Sequence, residues 1–425
     1  MTDRLYYHDS FLYGFEAEVR SVVDGPRPGL ILDRTAFYPT SGGQIHDTGR
    51  IAVSVGAGGS TTSGSDQTNN LRVTEVAESE NGEVVHYLEA PLKDIQPGTR
   101  VRGEIDPERR RDHMQQHSAQ HVLSAAFVRL FNMPTVSFHM AEHYCSIDLQ
   151  IADLSTPSLS SEQVESTERL ANEIVLENRP VAIRFVTREE AANLGLRKIP
   201  PAERDQLRLI EIGDFDLSAC GGTHVSQTGQ IGAILLRKIE KVRQGYRVEF
   251  VAGLRAVLTA RHDFSTLTET AALFSAGLND VPRQAAKSLD ETRSLHKEVE
   301  QLQDELAAAE AASIFAAAAE HNGRKLVART FSDRDLNFVK LLAQKLTRQS
   351  GPVIALLAST SPQPSLVFAQ TAGQPFDMGS LLKETVGKMG GRGGGSKDLA
   401  QGGVPNSEAL AAALKTATEK IANQS

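Results

Sequence analysis

Short apolar runs separated by turn residues occupy residues 1–105. Runs such as Gly29–Leu32 and Val84–Leu88 alternate there with clusters of turn residues, which is the pattern of a small β-domain. Residues 56–70 within it are mostly Gly, Ser, Thr and Asn. Such a segment has almost nothing to bury, so we expect a flexible hairpin tip or a disordered insert.

A long helix is predicted directly after this domain. Asp106 is a good N-cap residue, and Pro107 suits the first helical turn. The helical pattern continues to Phe131, where Asn132 and then Pro134 stop it. We therefore expect one uninterrupted helix between these signals.

Strands and helices alternate beyond this helix. Residues 145–149 suit a strand, and residues 161–177 suit a helix that ends before a proline. Thr187 and Glu190 have the spacing of a capping box for another short helix. The pattern predicts an α+β domain over residues 106–256.

The chain then turns helical and rich in alanine over residues 257–322. Apolar residues repeat at alternating spacings of four and three, at Leu295, Val299, Leu302 and Leu306. Such a narrow seam suggests an antiparallel helical hairpin or a coiled coil. The segment is therefore either a rigid spacer or a surface through which two copies associate.

Residues 323–425 alternate apolar runs with helical patterns and predict a compact α/β domain. A glycine-rich loop spans residues 390–395. It is either a mobile connection or a cradle for phosphate. In the second case its backbone amides would act together with Arg392 and Lys397.

Composition narrows the class of protein. A chain of 425 residues should hold two to four domains. With only Cys145 and Cys220 there is no disulfide framework, and the N-terminus shows no signal segment. No apolar run approaches transmembrane length. We therefore expect a cytoplasmic protein with reduced thiols and no membrane partner.

Charge is slightly acidic overall, with 45 basic and 53 acidic residues, the opposite of a general nucleic-acid binder. Basic residues nevertheless form two clusters: Arg100, Arg102, Arg109, Arg110 and Arg111, and Arg237, Lys238, Lys241, Arg243 and Arg247. The clusters are either solvated faces or a rim that contacts phosphates.

Two separate motifs carry candidate metal ligands. A His-Ser-Ala-Gln-His motif places His117 and His121 on one face of the predicted helix. A Cys-Gly-Gly-Thr-His motif supplies Cys220 and His224 on a turn that glycine makes adaptable. Three imidazoles and one thiolate are donors that zinc prefers. The four residues therefore predict one Zn²⁺ site.

Three longer motifs carry a resemblance to a known family. Residues 35–44 read Thr-Ala-Phe-Tyr-Pro-Thr-Ser-Gly-Gly-Gln, residues 216–224 read Asp-Leu-Ser-Ala-Cys-Gly-Gly-Thr-His, and residues 390–398 read Gly-Gly-Arg-Gly-Gly-Gly-Ser-Lys-Asp. With the metal helix, they resemble the editing half of alanyl-tRNA synthetase and the long free-standing alanyl-tRNA editing proteins. The last motif resembles the C-terminal domain called DHHA1. The resemblance covers nearly the whole chain in the expected order.

The resemblance implies an α+β fold of four domains. They are a small β-barrel with the glycine-rich motif, a zinc-dependent editing core as in threonyl- and alanyl-tRNA synthetases, a helical linker, and a C-terminal α/β DHHA1 domain. Their expected bounds are 1–105, 106–256, 257–322 and 323–425. The last domain would bind tRNA. The oligomeric state stays open, and the linker or the DHHA1 domain is where two copies could associate.

The implied function is editing in trans. An alanine-binding synthetic site discriminates poorly against serine and glycine, typically by only ~10 to 200-fold. A separate hydrolase that deacylates tRNA-Ala mischarged with serine or glycine would correct the error. Because no class II activation domain precedes the β-domain, we expect no aminoacylation.

The resemblance also implies substrate-contacting residues. In the family the glycine-rich motif of the β-domain borders the editing pocket. Thr35 and Gln44 are therefore candidates to recognise the serine hydroxyl, and Gln44 is expected to contact substrate and not metal. Gly42 and Gly43 would let the backbone approach the terminal adenosine; the alternative is a plain tight turn. The preference between serine and glycine stays open.

Two questions remain at the level of chemistry. Zinc could polarise the ester carbonyl or lower the pKa of a bound water to ~7. Four protein ligands make a closed shell, however, whereas catalytic zinc usually keeps one open position. Either one ligand is displaceable, or zinc orients the terminal ribose.

Two other functions are possible for the chain. One is a non-catalytic zinc-containing tRNA-binding module. The other is a threonyl-type editing unit, and the DHHA1-like end argues against this second alternative.

Overall fold

The computed structural model describes residues 1–53, 70–90, 95–151, 158–194, 196, 206–243 and 245–423. The chain divides into two compact units, Met1–Glu269 and Thr270–Ser425. The segment expected to be a flexible tip or disordered insert, residues 56–70, lies outside the described residues except for Asn70, which begins a strand.

The first unit begins with a closed barrel. The strands of this region are β1 Asp3–Arg4, β2 Gly14–Val23, β3 Gly29–Leu32, β4 Arg34–Thr35, β5 Gly49–Val53, β6 Asn70–Glu78, β7 Val84–Leu88 and β8 Arg100–Ile105. The barrel order is β2-β3-β7-β6-β5-β8, and all neighbours are antiparallel. Along β2, Phe15, Ala17 and Val19 are buried, while Glu16 and Glu18 between them are exposed. This alternation gives the barrel its apolar interior, and the predicted barrel is confirmed.

An α+β core follows the barrel. Its elements are α1 Pro107–Phe131, β9 Thr135–Met140, β10 Cys145–Gln150, α2 Ser161–Leu176, β11 Val181–Thr187, α3 Arg188–Asn193, β12 Gln206–Ile212, β13 Asp216–Ala219, β14 Ile234–Val242, β15 Gly245–Ala252 and α4 Gly253–Leu273. They form two antiparallel sheets, ordered β14-β15-β10-β9 and β11-β12-β13. Leu123 and Phe127 of α1 pack with Phe250 of β15 in the main apolar cluster.

The helix signals in the sequence mark real helix ends. The Asp106 side chain accepts hydrogen bonds from the backbone amides of Glu108 and Arg109. Asn132 ends α1 in the left-handed conformation, with φ of 53°. The Thr187 hydroxyl and Glu190 carboxylate form the predicted capping box at α3. These ends are decided locally, which is why the sequence alone locates them.

The second unit contains a six-stranded sheet and four helices among its described residues. Its elements are α5 Val281–Ala317, β16 Glu320–His321, β17 Arg324–Phe331, α6 Leu336–Leu346, β18 Val353–Ser359, β19 Ser365–Gln370, α7 Met378–Gly387, β20 Arg392–Gly395, β21 Leu399–Gly403 and α8 Ser407–Asn423. The strand order is β16-β17-β18-β19-β21-β20, and only β17 and β18 pair in parallel. The predicted α/β alternation is therefore present, but hairpin pairing dominates the sheet.

The glycine-rich segment is a strand at the edge of this sheet and not a loop. Strand β20 begins at Arg392 and pairs along its length with β21. A Cβ at Gly393 would lie 2.8 Å from Gly402 Cα, and one at Gly395 would lie 2.3 Å from the Leu399 carbonyl oxygen. Glycine is required at these positions because neighbouring backbone approaches closely. The expectation of a mobile connection is wrong for residues 392–395.

The apolar seam predicted in the linker lies on α5. Leu295, Val299, Leu302 and Leu306 are 43% to 59% exposed. Farther along the same helix, Ala307 and Ala311 are fully buried against the second unit's sheet cluster. The helix is therefore packed at its C-terminal part and carries an exposed apolar seam before it.

Some members of each basic cluster are buried or paired with carboxylates, whereas others, among them Arg100 and Arg111, are exposed. Arg110 is fully buried, forms an ion pair of 2.5 Å with Asp47, and donates hydrogen bonds to the Ser10 and Ala36 carbonyl oxygens. In the second cluster the charged partners are Arg237 with Asp263, Lys238 with Glu240, and Arg247 with Asp148. Arg110 thus ties the barrel to α1 and cannot contact phosphate.

Among the helices within the described ranges, we find none that has both the length and the apolar character needed to cross a membrane.

Candidate metal centre and the adjoining pocket

Four side chains from two distant segments converge in the first unit. His117 and His121 come from the middle of α1, while Cys220 and His224 lie just after β13. One nitrogen or sulfur atom of each lies within 4.8 Å of those of the others. The histidines are buried, and Cys220 is half-buried. The structure therefore brings together the four residues that the two motifs predicted as ligands.

Two of the imidazoles are oriented by hydrogen bonds at Nδ1. His117 Nδ1 lies 2.7 Å from Gln44 Oε1, and His224 Nδ1 lies 3.2 Å from Ser118 Oγ. Their Nε2 atoms each lie 3.3 Å from Cys220 Sγ. Metal-ligating histidines commonly have such an outer partner, which fixes the ring and leaves the other nitrogen for the metal. The donor set and its orientation fit a metal ion.

The third imidazole has a carboxylate partner. His121 Nδ1 lies 3.0 Å from Asp216 Oδ2, and the Ser218 hydroxyl donates to the same oxygen at 2.9 Å. Burial disfavours the charged imidazole, but hydrogen bonds to Asp216 and Cys220 outweigh it and raise the pKa of His121 to about 9. Asp216 was not singled out in the sequence. Its place in the Asp-Leu-Ser-Ala-Cys motif was the available signal.

The protonation states of Cys220 and His224 also suit metal binding. Although burial opposes the thiolate, the neighbouring His117 imidazole and hydrogen bonds from His117 and His121 hold the pKa of the Cys220 thiol well below its usual range. Burial lowers the pKa of His224 to about 3, so this imidazole is neutral near pH 7. A thiolate and a neutral imidazole are the forms that bind metal.

We expect metal binding to release a proton. In the metal-free chain His121 is protonated below pH of about 9, so a metal ion must displace that proton. Affinity for zinc should therefore fall as the pH is lowered below this value, by about tenfold per pH unit for one displaced proton. Calorimetric titration at pH 7 in two buffers of different ionisation enthalpy counts the protons. Asp216→Asn should reduce the release, and a proton count of zero for the unaltered chain would contradict the assignment.

Glycine is needed at this turn for space. A Cβ at Gly222 would lie 2.1 Å from His117 Cε1 and 2.9 Å from Gln44 Oε1. Gly43 has φ of +87°, and its Cβ would lie 2.2 Å from the Phe138 carbonyl oxygen. All three distances are shorter than real Cβ contacts, so a side chain is excluded at Gly222 beside His117 and Gln44, and at Gly43 beside Phe138.

Thr35 and Gln44, the two predicted catalytic residues, lie in different environments. Gln44 is fully buried; its Nε2 donates to Thr223 Oγ1 at 2.9 Å, and its Oε1 accepts from the Thr223 amide and meets His117. The Thr35 hydroxyl lies 2.8 Å from His86 Nε2 inside the barrel and accepts from the Phe37 amide. Gln44 is thus the outer partner of a candidate ligand, and Thr35 belongs to the barrel interior.

The remaining predicted positions are exposed or line a cavity. Gly42 lines the cavity beside the metal centre. Arg392 and Lys397 lie in the second unit, and both are exposed. Arg392 begins β20, and the backbone carbonyl of Lys397 accepts from the Met378 amide at the start of α7.

The cavity beside the centre has a volume of about 180 Å³. Its lining residues are Arg4, Tyr6, Tyr7, Tyr38, Ser41, Gly42, His117, Ala219, Cys220, Gly221 and Gly222. A larger cavity of about 800 Å³ borders α4, but it is mainly apolar and contains none of the four candidate ligands. The smaller cavity is therefore the candidate site. Sequence reasoning missed its three tyrosines, because nothing in their local pattern separates them from core aromatics.

Models of known families match three parts of the chain. "Threonyl and Alanyl tRNA synthetase second additional domain" matches residues 207–248, which include Cys220 and His224. "tRNA synthetases class II (A)" matches residues 5–109, and the DHHA1 domain matches residues 326–423. The fold and the four-ligand centre thus define a protein with the second additional domain of these synthetases and a DHHA1 domain.

Similarity to whole proteins extends along nearly the entire chain. "Alanyl-tRNA editing protein AlaX-L" of Pyrococcus horikoshii is 29% identical over 415 residues, 95% of each chain. "Alanine--tRNA ligase" of Archaeoglobus fulgidus is 32% identical over 410 residues, which are 95% of this chain and 42% of the ligase. The resemblance to free-standing alanyl-tRNA editing proteins is confirmed. The chain spans less than half the length of the ligases it matches.

Among solved structures, the C-Ala domain from Aquifex aeolicus alanyl-tRNA synthetase matches with 23% identity and a TM-score of 0.21. The match covers 24% of this chain and 96% of that one.

Proposed function

We propose that this chain is a zinc-dependent hydrolase that deacylates tRNA-Ala mischarged with serine or glycine. The observation that carries the proposal is the cluster of His117, His121, Cys220 and His224, two of whose members open onto a small polar cavity. Similarity over 95% of the length of an alanyl-tRNA editing protein supports it.

The size and polarity of the cavity suit a small aminoacyl ester. A cavity of about 180 Å³ has room for a small side chain near the ester, and its walls combine tyrosine rings, Arg4 and backbone at Gly42 and Gly221. A site that hydrogen-bonds a hydroxyl discriminates against an analogue lacking it far better than an apolar site rejects an added hydroxyl. The seryl ester is therefore the expected preferred substrate, and the alanyl ester is expected to escape hydrolysis.

The chain's own residues define where the ester would react. Hydrolysis adds water to the carbonyl carbon, breaks the bond to the ribose oxygen, and returns a proton to that oxygen. When bound, zinc supplies Lewis acidity toward the carbonyl or a water of lowered pKa. His117 and Cys220 are the two candidate ligands that line the cavity. His121 and His224 do not, so the substrate side of the centre is the His117–Cys220 edge.

The second unit would supply tRNA affinity. Arg392 and Lys397 are exposed cations at the glycine-rich edge strand, where they can contact the phosphate backbone. The exposed seam on α5 is our proposed surface for a homodimer. Neither feature is needed for the ester chemistry itself.

A deacylation assay tests the function directly. Zinc-loaded protein incubated with tRNA-Ala carrying serine, glycine or alanine should release serine fastest and leave the alanyl ester largely intact. An unpaired polar group in the site costs about 1 to 3 kcal/mol, which is roughly 5 to 150-fold in rate between the seryl and alanyl esters. Release of all three at one rate contradicts the specificity. No release of any, with tRNA still bound, would instead support the non-catalytic binding module.

A further inference from the structure

One tyrosine that lines the cavity has a buried hydroxyl with no hydrogen bond of standard geometry. Tyr6 lies in the short 3-10 turn Leu5–Tyr7 and is 1% exposed. Its hydroxyl makes no hydrogen bond of standard geometry to any residue within the described ranges, although the Arg4 guanidinium lies near enough to interact with it. Leaving such a group unpaired in a protein interior costs about 1 to 3 kcal/mol. A hydroxyl in this state beside candidate metal ligands suggests a place where a ligand completes the bond.

The hydroxyls of the other two tyrosines that line the cavity are already engaged. The Tyr38 hydroxyl donates to the Ser41 carbonyl oxygen at 3.0 Å. The Tyr7 hydroxyl accepts from Arg4 at 3.2 Å, and the same guanidinium pairs with Glu78 at 2.5 Å. Tyr6 is thus the tyrosine of the cavity whose hydroxyl is left for an incoming group.

Thr35 and Gln44, which the sequence suggested for recognition of the serine hydroxyl, form hydrogen bonds with other groups of the protein. The Thr35 hydroxyl is shared between His86 and the Phe37 amide. The Gln44 amide oxygen faces His117, and its nitrogen donates to another side chain. Neither residue lines the cavity among the residues that the structure describes.

The ring of Tyr6 is held in a defined position. It meets the rings of Tyr7 and Tyr38 edge-on, with centroids 5.1 Å away in both cases. Aromatic pairs in this geometry stabilise one another beyond the area they bury. Since His117 and Cys220 line the same cavity, an ester at the metal edge would place its short side chain among these rings.

We propose that Tyr6 determines specificity by forming a hydrogen bond with the side-chain hydroxyl of a seryl ester in this cavity. The inference rests on the proposed function. A phenol can donate or accept this bond. Alanyl and glycyl esters have no side-chain hydroxyl and leave Tyr6 unpaired. Burial raises the pKa of Tyr6, so the phenol keeps its proton at neutral pH.

Tyr6→Phe removes only the hydroxyl and tests the proposal. The rate on seryl-tRNA-Ala should fall by roughly 5 to 150-fold, while the rates on glycyl and alanyl esters and the zinc content stay unchanged. The melting temperature of the free protein should not fall, because the lost hydroxyl had no partner. Tyr87→Phe is the matched control. Its ring lies on the barrel against Arg27, and it should leave all rates as they were.

A binding measurement separates this inference from the proposed function. An adenosine with serine joined through a stable amide should bind the unaltered protein more tightly than its alanine counterpart, and Tyr6→Phe should abolish the difference. An unaltered protein that hydrolyses no ester but shows this preference would overturn the function and keep the role of Tyr6. A Tyr6→Phe variant with an undiminished seryl rate or an undiminished preference in binding would overturn the role of Tyr6 and keep the function.

Discussion

Cys220→Ala should lose its zinc and at least about 100-fold of its deacylation rate. Cys220 is the one anionic donor of the four, and its sulfur lies 3.3 Å from the Nε2 atoms of both His117 and His224. Changes to residues that only hydrogen-bond a metal ligand already cost typically 10 to 100-fold in metal affinity or activity. Elemental analysis of protein prepared without chelators should give about one zinc per unaltered chain and much less in the variant.

Cys145→Ala is the matched control for that experiment. Cys145 is buried in β10 and does not belong to the four-residue group. It should keep its zinc and its rate, at some cost in stability from the smaller side chain. Zinc that persists in Cys220→Ala would remove Cys220 from the ligand set, and an undiminished rate would remove it from the proposed chemistry.

Gln44→Ala should weaken zinc binding by about 10 to 100-fold. The sequence suggested that this change would spare the metal, because Gln44 was expected to contact substrate. The structure changes that expectation: the Gln44 amide oxygen lies 2.7 Å from His117 Nδ1 and also accepts from the Thr223 amide beside the ligand turn. Removing it frees the His117 ring and leaves buried groups unpaired. Competition with a chromophoric chelator measures the change in affinity.

Gln116→Ala provides a comparison in the same helix. Gln116 is also fully buried, but its amide bonds to the backbone of Ala252 and not to the metal centre. The Gln116→Ala variant should have a lower melting temperature and an unchanged affinity for zinc. Should Gln44→Ala hold zinc as tightly as the unaltered chain and still lose its rate, Gln44 would return to a role in substrate contact.

The sequence determined the parts of this protein that depend on neighbours in the chain. The start of α1 follows from Asp106, and its end follows from Asn132. The His117 and His121 pair could be read because a spacing of four residues places two side chains on one face of a helix, and the Cys220 and His224 pair could be read from its Cys-Gly-Gly-Thr-His motif. The short strands of the barrel could be predicted from apolar runs that alternate with turn residues.

Tertiary structure alone decided which distant residues surround the ligands. Gln44 meets Thr223 across 179 positions of sequence, and Arg110 is buried against Asp47 although it belongs to a run of arginines that looked solvent-exposed. Tyr6 has no local signature of a functional residue. Its importance comes from a hydroxyl that packing left without a partner. Periodicity and capping record contacts within a few residues, whereas these partners meet only after the barrel and the core have packed together.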